Sequence, residues 1–142
     1  MSTIISDNVR KFLESQTVGT IATRRKSGKI RQTLVYYIVD GDRILISTES
    51  KRLKSRDVNR EKWASFCVFG HAKPYPAVTV EGAARIMTKG IGEYTANLVT
   101  KIRGQRPTQV PTDAILAAAD RVILEITIEH VYSVMYLDSD SA

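Results

Sequence analysis

Residues Thr17–Thr48, TVGTIATRRKSGKIRQTLVYYIVDGDRILIST, carry the clearest structural signal in this sequence. They contain three runs rich in β-branched and aromatic residues, which is typical of strands. The segments between them, Lys26-Ser27-Gly28-Lys29 and Asp40-Gly41-Asp42, have the composition of tight turns that join antiparallel neighbours. The stretch therefore predicts a meander of three strands: Thr17–Arg25, Ile30–Val39 and Arg43–Thr48.

Segments on either side of this meander alternate between short helices and further strands. Upstream, Val9, Phe12 and Leu13 recur at helical spacing, and Ser6 can cap that helix. Downstream, the patterns predict three helices and three strands: a basic helix Lys51–Asn59, a strand Trp63–Gly70, a long strand Ala77–Thr88 with a bend or bulge at Gly82, helices Glu93–Arg103 and Thr112–Ala119, and a last strand Arg121–Leu137.

Six antiparallel strands with few, short helices predict a mainly β protein whose sheet closes into a small barrel, because closure removes exposed edges. Trp63–Gly70 is nearly all apolar, which predicts burial on both faces. In the last strand, Glu125 and Glu129 fall on the polar face. No linker divides the chain, so we expect one domain over residues 1–142 with a frayed tail at 138–142.

Composition indicates an ordinary globular protein. The chain has 142 residues, of which 43% are hydrophobic and 25% charged. A single cysteine excludes an internal disulfide and offers no metal cluster, so a reducing compartment is expected. No run approaches the roughly 18 to 20 apolar residues of a membrane span, and the N-terminal segment lacks the order of a signal peptide. These features predict a cytoplasmic protein with no membrane partner.

Positive charge is concentrated in two short windows, although the net charge is only +6. The windows hold Arg24, Arg25, Lys26, Lys29 and Arg31, and then Lys51, Arg52, Lys54, Arg56, Arg60 and Lys62. Such clustering predicts an anionic partner, which could be nucleic acid, a membrane surface or a polyanionic cofactor. Composition does not choose among these.

The second window follows a strand that ends in hydroxyl residues. Ser47, Thr48 and Ser50 come first, and the cations Arg52, Lys54 and Arg56 follow on the next helix. Hydroxyls, cations and backbone N–H groups at the end of a strand can hold a phosphorylated small molecule without a metal. The alternative is an exposed basic helix that keeps the protein soluble.

The order of these segments resembles the split β-barrel flavin-binding family typified by pyridoxamine 5′-phosphate oxidase. Within that family, the chain is most similar to the small members that use the deazaflavin coenzyme F-420. The resemblance covers about residues 6 to 137 and is carried by four segments: Val18–Thr23 with the Ser27-Gly28 turn and Ile30–Tyr37; Asp40–Asp42 with Ile44–Thr48 and Lys54–Val58; Val78–Ala84; and Arg121–Ile126 with Ile128–Tyr132.

The resemblance implies a six-stranded antiparallel split β-barrel that forms a homodimer, with two cofactor sites at the interface. It places the phosphate-binding lysine at Lys54. The other positions that it implies for cofactor binding are Arg52, Ser47, Thr48 and Ser50 near the phosphate or ring, Thr33 and Val35 on the ring face, Arg56 beside the phosphate, and Tyr75 in a loop that closes the partner's pocket. Asp57-Val58 and Glu61-Lys62-Trp63 depart from the family pattern, which often has Asn-Leu at the first position and commonly an Asp-Pro-Arg turn at the second.

The resemblance also implies the chemistry. The cofactor performs the hydride transfer, so no obligate catalytic side chain is expected. Tyr36, Tyr37, Tyr75 and His71 are the candidate proton donors. Coenzyme F-420 carries a phosphodiester, a lactyl group and a polyglutamate tail. The basic window Arg24–Arg31 is a candidate track for that tail, and the alternative is a solvated turn.

Three function classes follow. The first is an F-420-dependent oxidoreductase that acts on a small hydrophobic acceptor, and the second is a flavin mononucleotide (FMN) oxidoreductase of the same fold. The third is a nucleic-acid-binding protein or a non-enzymatic cofactor carrier. Nucleic-acid binding ranks last because neither basic window contains an aromatic residue for base stacking. Pyridoxamine phosphate oxidation itself is not expected, since the segment 136–140 is acidic where that substrate's phosphate would need cations.

Overall fold

The structure is a computed structural model that describes residues 4–134. These residues form an antiparallel sheet of eight strands with four flanking helices. The elements are α1 (Asp7–Ser15), β1 (Val18–Arg24), β2 (Ile30–Tyr36), β3 (Ile38–Asp40), β4 (Arg43–Glu49), α2 (Leu53–Glu61), β5 (Trp63–Phe69), β6 (Ala77–Met87), α3 (Gly92–Arg103), α4 (Asp113–Ala118), β7 (Arg121–Thr127) and β8 (His130–Val134). The predicted tail 138–142 and the acidic segment 136–140 lie outside the described residues.

The mainly β, antiparallel architecture is confirmed, but the count of six strands was wrong. The predicted strand Ile30–Val39 divides at Tyr37, because β2 pairs with β1 whereas β3 pairs with β4. Tyr37 is fully buried at this change of partner, and its hydroxyl donates to the Leu13 carbonyl oxygen at 2.5 Å. The last predicted strand divides after Thr127 for the same reason, since β7 pairs with β4 and β8 pairs with β6.

The strands follow the order β2-β1-β5-β6-β7-β4-β3, and β8 pairs with β6 outside this path. β6 joins the two parts of the sheet, because its first half pairs with β5 and β8 and its second half with β7. Among the described residues, no ladder connects β2 to β3, so the hydrogen-bonded order is open rather than the closed barrel expected.

Gly82 marks the change of partner on β6, as the predicted bend there suggested. A Cβ atom at this position would collide with the carbonyl oxygen of Thr127, where β7 ends. Only glycine allows the two backbones to approach this closely.

One main core lies between the two parts of the sheet, with a smaller one beneath α3 and α4. The main core includes Leu13, Ile21, Phe66 and Ile126, each nearly inaccessible to water. The strand β5 alternates between buried and half-buried residues, so the prediction that it is buried on both faces was wrong. Most side chains on the less buried face of β5 are also apolar, so the sequence did not show which positions are buried.

Glu125 also departs from expectation. Its position in the strand predicted that its side chain lies on the polar, exposed face, but the residue is only 4% exposed. Arg43 donates to its Oε2 at 2.6 Å, and Arg85 donates to its Oε1 at 2.7 Å. Burial alone would raise the pKa of Glu125, but these guanidinium groups hold it below its usual value.

The helix ends follow local sequence signals. Ser6 Oγ accepts from Val9 N at 3.2 Å, and Thr112 Oγ1 accepts from Ile115 N at 3.2 Å, as N-caps do. Gly104 ends α3 with a positive φ of 76°. None of the helices within residues 4–134 is both long and apolar enough to cross a bilayer.

Candidate functional site

A cavity of about 410 Å³ lies where the ends of β2 and β4, the start of α2, the helix α3 and the start of β7 meet. Its volume falls within the usual range for cofactor pockets. Charged and hydroxyl groups of β4, α2 and β7 line one part of it, the polar end, and apolar side chains of α3 and β2 line another part, the apolar wall. A site built in this way fits a flat organic ring that carries an anionic arm.

The polar end contains three cations and one carboxylate. The cations are Arg52, Lys54 and Arg121, and the carboxylate is Glu49. Glu49 is already engaged, since Arg52 Nε donates to its Oε1 at 2.9 Å and Lys51 Nζ lies 3.8 Å from its Oε2. Counted over residues 4–134, the cavity lining therefore has two uncompensated positive charges.

Lys54 is the most informative of these cations. It is half-buried, and within residues 4–134 no carboxylate lies within ion-pair distance of its Nζ. Burial lowers the pKa of Lys54, and the nearby charges of Arg52 and Arg121 lower it further, while Glu49 opposes them. An ammonium group in such surroundings is stabilised when an anion binds beside it.

The segment between β4 and α2 is held in place from two sides. Ser55 Oγ donates to the Glu49 carbonyl oxygen at 2.8 Å. From the other side, Asp120 accepts from the Ser50 hydroxyl and from Lys51 N, the latter at 3.3 Å. These contacts fix the position of Arg52 and Lys54 relative to the end of the strand.

The apolar wall comes from two elements that are distant in sequence. α3 contributes Leu98, Val99 and Ile102, and β2 contributes Leu34 and Val35. Ile102 is 40% exposed, so part of the wall stands open to solvent.

The structure brings five of the nine predicted cofactor-binding residues to the cavity. They are Val35, Ser47, Thr48, Arg52 and Lys54. Thr33, Ser50, Arg56 and Tyr75 are not among the lining residues, and their contacts with a cofactor stay predictions.

Each of these four residues has a different environment. Thr33 Oγ1 is buried and has no hydrogen-bond partner in the described part of the chain. Ser50 gives its hydroxyl to Asp120, and Arg56 is exposed. Tyr75 has a positive φ of 60° and stacks on Phe69, with ring centroids 6.4 Å apart.

Sequence reasoning missed Arg121, Glu49 and the whole α3 wall. Arg121 begins the last predicted strand, but the pairing of that strand with the end of β4, which brings Arg121 to the cavity, had no signal in the sequence. The α3 wall had no signal either, since the apolar stripe of an amphipathic helix does not say what it packs against.

The basic window Arg24–Arg31 is partly used inside the protein. Arg31 Nε donates to Asp57 Oδ2 at 2.8 Å, and Thr23 Oγ1 donates to the same oxygen at 2.8 Å. Arg60 Nη2 donates to the other oxygen of Asp57 at 3.2 Å and to the Arg24 carbonyl oxygen at 2.6 Å. Burial alone would raise the pKa of Asp57, but these donors hold it below its usual value. Asp57 thus ties α2 to β1 and β2.

Comparison with known proteins agrees with this fold. The sequence profile described as pyridoxamine 5′-phosphate oxidase matches residues 5–135. No curated protein sequence matches the chain significantly.

Three solved structures illustrate the likeness. An F420 reductase is 23% identical, with a TM-score of 0.73, and the match covers 90% of this chain and 98% of that one. A conserved hypothetical protein from Mycobacterium tuberculosis is 20% identical, with a TM-score of 0.76 and coverage of 99% and 96%. A protein from Mycobacterium smegmatis that binds FAD and heme is 14% identical, with a TM-score of 0.72 and coverage of 92% and 70%. At these identities the likeness concerns the fold.

Proposed function

The chain belongs to the pyridoxamine 5′-phosphate oxidase family, and on that premise we propose that it is an oxidoreductase that binds the deazaflavin coenzyme F-420. It transfers a hydride to or from a small hydrophobic organic acceptor. The family includes flavin-binding oxidoreductases, and a solved F420 reductase shares the fold.

The observation that carries this proposal is the uncompensated positive charge at one end of the cavity. Among the residues of the described range 4–134 that line the cavity, Glu49 is the only carboxylate beside Arg52, Lys54 and Arg121. A phosphoryl group accepts charge-assisted hydrogen bonds from such cations, and the hydroxyls of Ser47 and Thr48 line the same end. The apolar wall provides surface for a ring.

The choice of F-420 rests on the cations beyond the cavity. Arg52, Arg56 and Arg60 recur at four-residue spacing, so they follow one face of α2 from the cavity toward the turn between β1 and β2. That turn adds the exposed side chains of Arg25 and Lys26. A polyglutamate tail needs such a path, whereas FMN has no tail.

The bound cofactor supplies the hydride chemistry, and the chain's residues bind it, orient it and exclude water. Of the candidate proton donors, only Tyr36 lines the cavity. Tyr37 is fully buried and gives its hydroxyl to Leu13, and burial raises its pKa well above the usual value. We therefore assign the proton-donor role to Tyr36 rather than Tyr37.

A homodimer is part of the proposal. β2 is an edge strand with residues exposed on one face and only half-buried on the other, which is typical of a strand that a partner covers. The apolar side chains Val18, Leu34 and Tyr36 are all more than 40% exposed there. Since Leu34 and Tyr36 also line the cavity, a partner on this face would complete the cofactor site.

Titration of the purified protein tests the proposal. F-420 and FMN are followed by fluorescence, and a labelled mixed-sequence oligonucleotide by polarisation. We expect F-420 to bind most tightly, and Lys54→Ala to weaken it by about 10-fold or more, because a charge-assisted hydrogen bond is lost. The matched control Lys11→Ala removes an exposed lysine of α1 and should leave binding unchanged.

The other outcomes select other functions. Tighter binding of FMN than of F-420 would move the assignment to an FMN-dependent oxidoreductase, for which the same three cations could hold the phosphate. Salt-sensitive binding of the oligonucleotide alone would rule out both cofactors. Binding of F-420 without turnover of reduced F-420 over a panel of hydrophobic acceptors would indicate a cofactor carrier.

A further inference from the structure

We propose that Arg121 is a third anion-binding residue of this cavity and that it binds a second negative charge on the ligand's anionic arm. This inference rests on the proposed function. Arg121 lies outside the basic windows of the sequence, and the resemblance, although it includes Arg121 in a matching segment, implied no cofactor contact for it. It is the cation contributed by β7, whereas Arg52 and Lys54 both come from the segment that begins α2.

The position of Arg121 is set by the ladder between β4 and β7. It lies opposite Glu49 in that ladder, and the two neighbouring pairs are Thr48 with Val122 and Ser47 with Ile123. This register brings Arg121, a half-buried residue, to the cavity beside the strand end that carries Ser47 and Thr48.

The contacts of Arg121 leave most of its donors available. Its Nη2 donates to Ser47 Oγ at 2.8 Å, which is its one side-chain hydrogen bond within residues 4–134. Glu49 is its cross-strand neighbour, but the Glu49 carboxylate contacts Arg52 and Lys51 instead. A guanidinium group has five N–H donors, so several remain for a ligand.

Charge supports the same conclusion. Arg121 lies close enough to Lys54 to lower the pKa of that lysine, so the two cations share one electrostatic environment. The described lining has three cations and one carboxylate that already forms ion pairs, so it can neutralise two negative charges of a ligand. A phosphate monoester carries both charges on one group above a pKa of about 6. A phosphodiester carries one, and a neighbouring carboxylate of the arm supplies the second.

The second negative charge can thus come from a phosphate monoester or from a neighbouring carboxylate, and comparing FMN with F-420 distinguishes these two sources in a single experiment. Dissociation constants are measured at pH 5.5 and 7.5 for the wild type, Arg121→Gln, Arg121→Lys and the control Arg103→Gln, which removes an exposed arginine of α3 that does not line the cavity. For FMN, the wild type should bind more tightly at pH 7.5, where the monoester gains its second charge. Arg121→Gln should lose that gain and bind about 10-fold more weakly at pH 7.5.

For F-420, Arg121→Gln should weaken binding by about the same factor at both pH values, since neither of its charges titrates in this range. Arg121→Lys should retain most of the pH effect on FMN, because it keeps the charge. A purely structural role would instead weaken both ligands equally at both pH values and would not be rescued by lysine, and that pattern would overturn the inference.

The inference and the proposed function can fail separately. If Arg121→Gln binds both ligands like the wild type while Lys54→Ala does not, Arg121 has no role in anion binding and the proposed function stands. If neither variant changes the affinity for either ligand, both proposals fail.

Discussion

Lys101 links the stability of the fold to pH through a single side chain. Its Nζ is buried and, within the described part of the chain, has no hydrogen-bond partner. It lies 4.0 Å from the centroid of the Tyr37 ring, a distance suited to a cation–π contact. Burial lowers the pKa of Lys101 to about 8, and the charge of Glu14 on α1 opposes this shift only partly.

The sign of the resulting pH dependence follows from proton linkage. Below pH 8 the lysine is protonated in both states, so folding must bury a charge. Between pH 8 and the ordinary lysine pKa of 10.5, the unfolded chain binds more protons, and stability rises with pH. We therefore expect Lys101→Met to raise the melting temperature at pH 7 and to flatten its pH dependence between pH 8 and 10. Thermal unfolding measured beside Lys11→Met checks this, and equal curves for both variants would contradict it.

Among individual residues, those at the polar end of the cavity were easier to predict from the sequence than those of its apolar wall. Ser47, Thr48, Arg52 and Lys54 are close in the chain, so one strand-to-helix junction brings them together. Arg121 reaches the same point from 67 residues beyond Lys54, through a strand pairing that local patterns do not specify. Contacts of this kind depend on the sheet order and not on composition.

At the scale of elements, α2 owes its position to Asp57. This carboxylate has a 4% exposed side chain and accepts from Arg31 and Thr23 on the strands and from Arg60 on its own helix. Removing one partner of a buried ion pair leaves the others with an uncompensated charge. The helix that carries the proposed phosphate-binding residues is therefore anchored at its middle and not only at its ends.

Asp57→Asn should destabilise the protein by about 3 kcal/mol near neutral pH, because two guanidinium groups lose their counter-charge. The guanidinium groups hold the folded-state pKa of Asp57 below the ordinary aspartate pKa of 3.8, so its contribution to stability is present above pH 3.8 and is lost as the pH falls through the lower folded-state value. Urea unfolding at pH 7 and pH 3 measures the effect, and the gap between variant and wild type should narrow at pH 3. Asp7→Asn, a change at the start of α1, is the control and should cost only a few tenths of a kcal/mol.

The elements themselves were largely predictable, because turns and caps are local. The turn at Asp40-Gly41-Asp42, the cap at Ser6 and the stop at Gly104 lie where sequence signals placed them. The divisions at Tyr37 and after Thr127 were not predictable, because the strand pattern continues unbroken while the pairing partner changes. Periodicity reports which face of a strand is apolar, and it does not report which neighbour the strand pairs with.

At the scale of the whole molecule, the exposed apolar surface beside the cavity is the least explained by a single copy of the chain. Leu34 is 75% exposed, and it borders a second hollow of about 220 Å³ with Val18, Val35 and Tyr36. An apolar patch of this kind on a sheet edge is typical of a contact between subunits.

Leu34→Lys should therefore shift the protein from dimer to monomer, because it places a charge in the centre of the proposed interface. Sedimentation velocity measures the change, and circular dichroism checks that the fold is retained. Ile115→Lys is the matched control, since Ile115 is 60% exposed on α4, an element that does not line either hollow. A wild-type protein that sediments as a monomer at micromolar concentration would contradict the prediction.

The shared strand β6 also has a consequence for how the molecule comes apart. Because its residues 77–83 pair with one group of strands and its residues 84–87 with another, each group loses a neighbour when this strand detaches. We therefore expect that neither group of strands can unfold while the other stays intact. Denaturation should consequently be a single all-or-none event, and limited proteolysis should yield no stable fragment that ends within this strand.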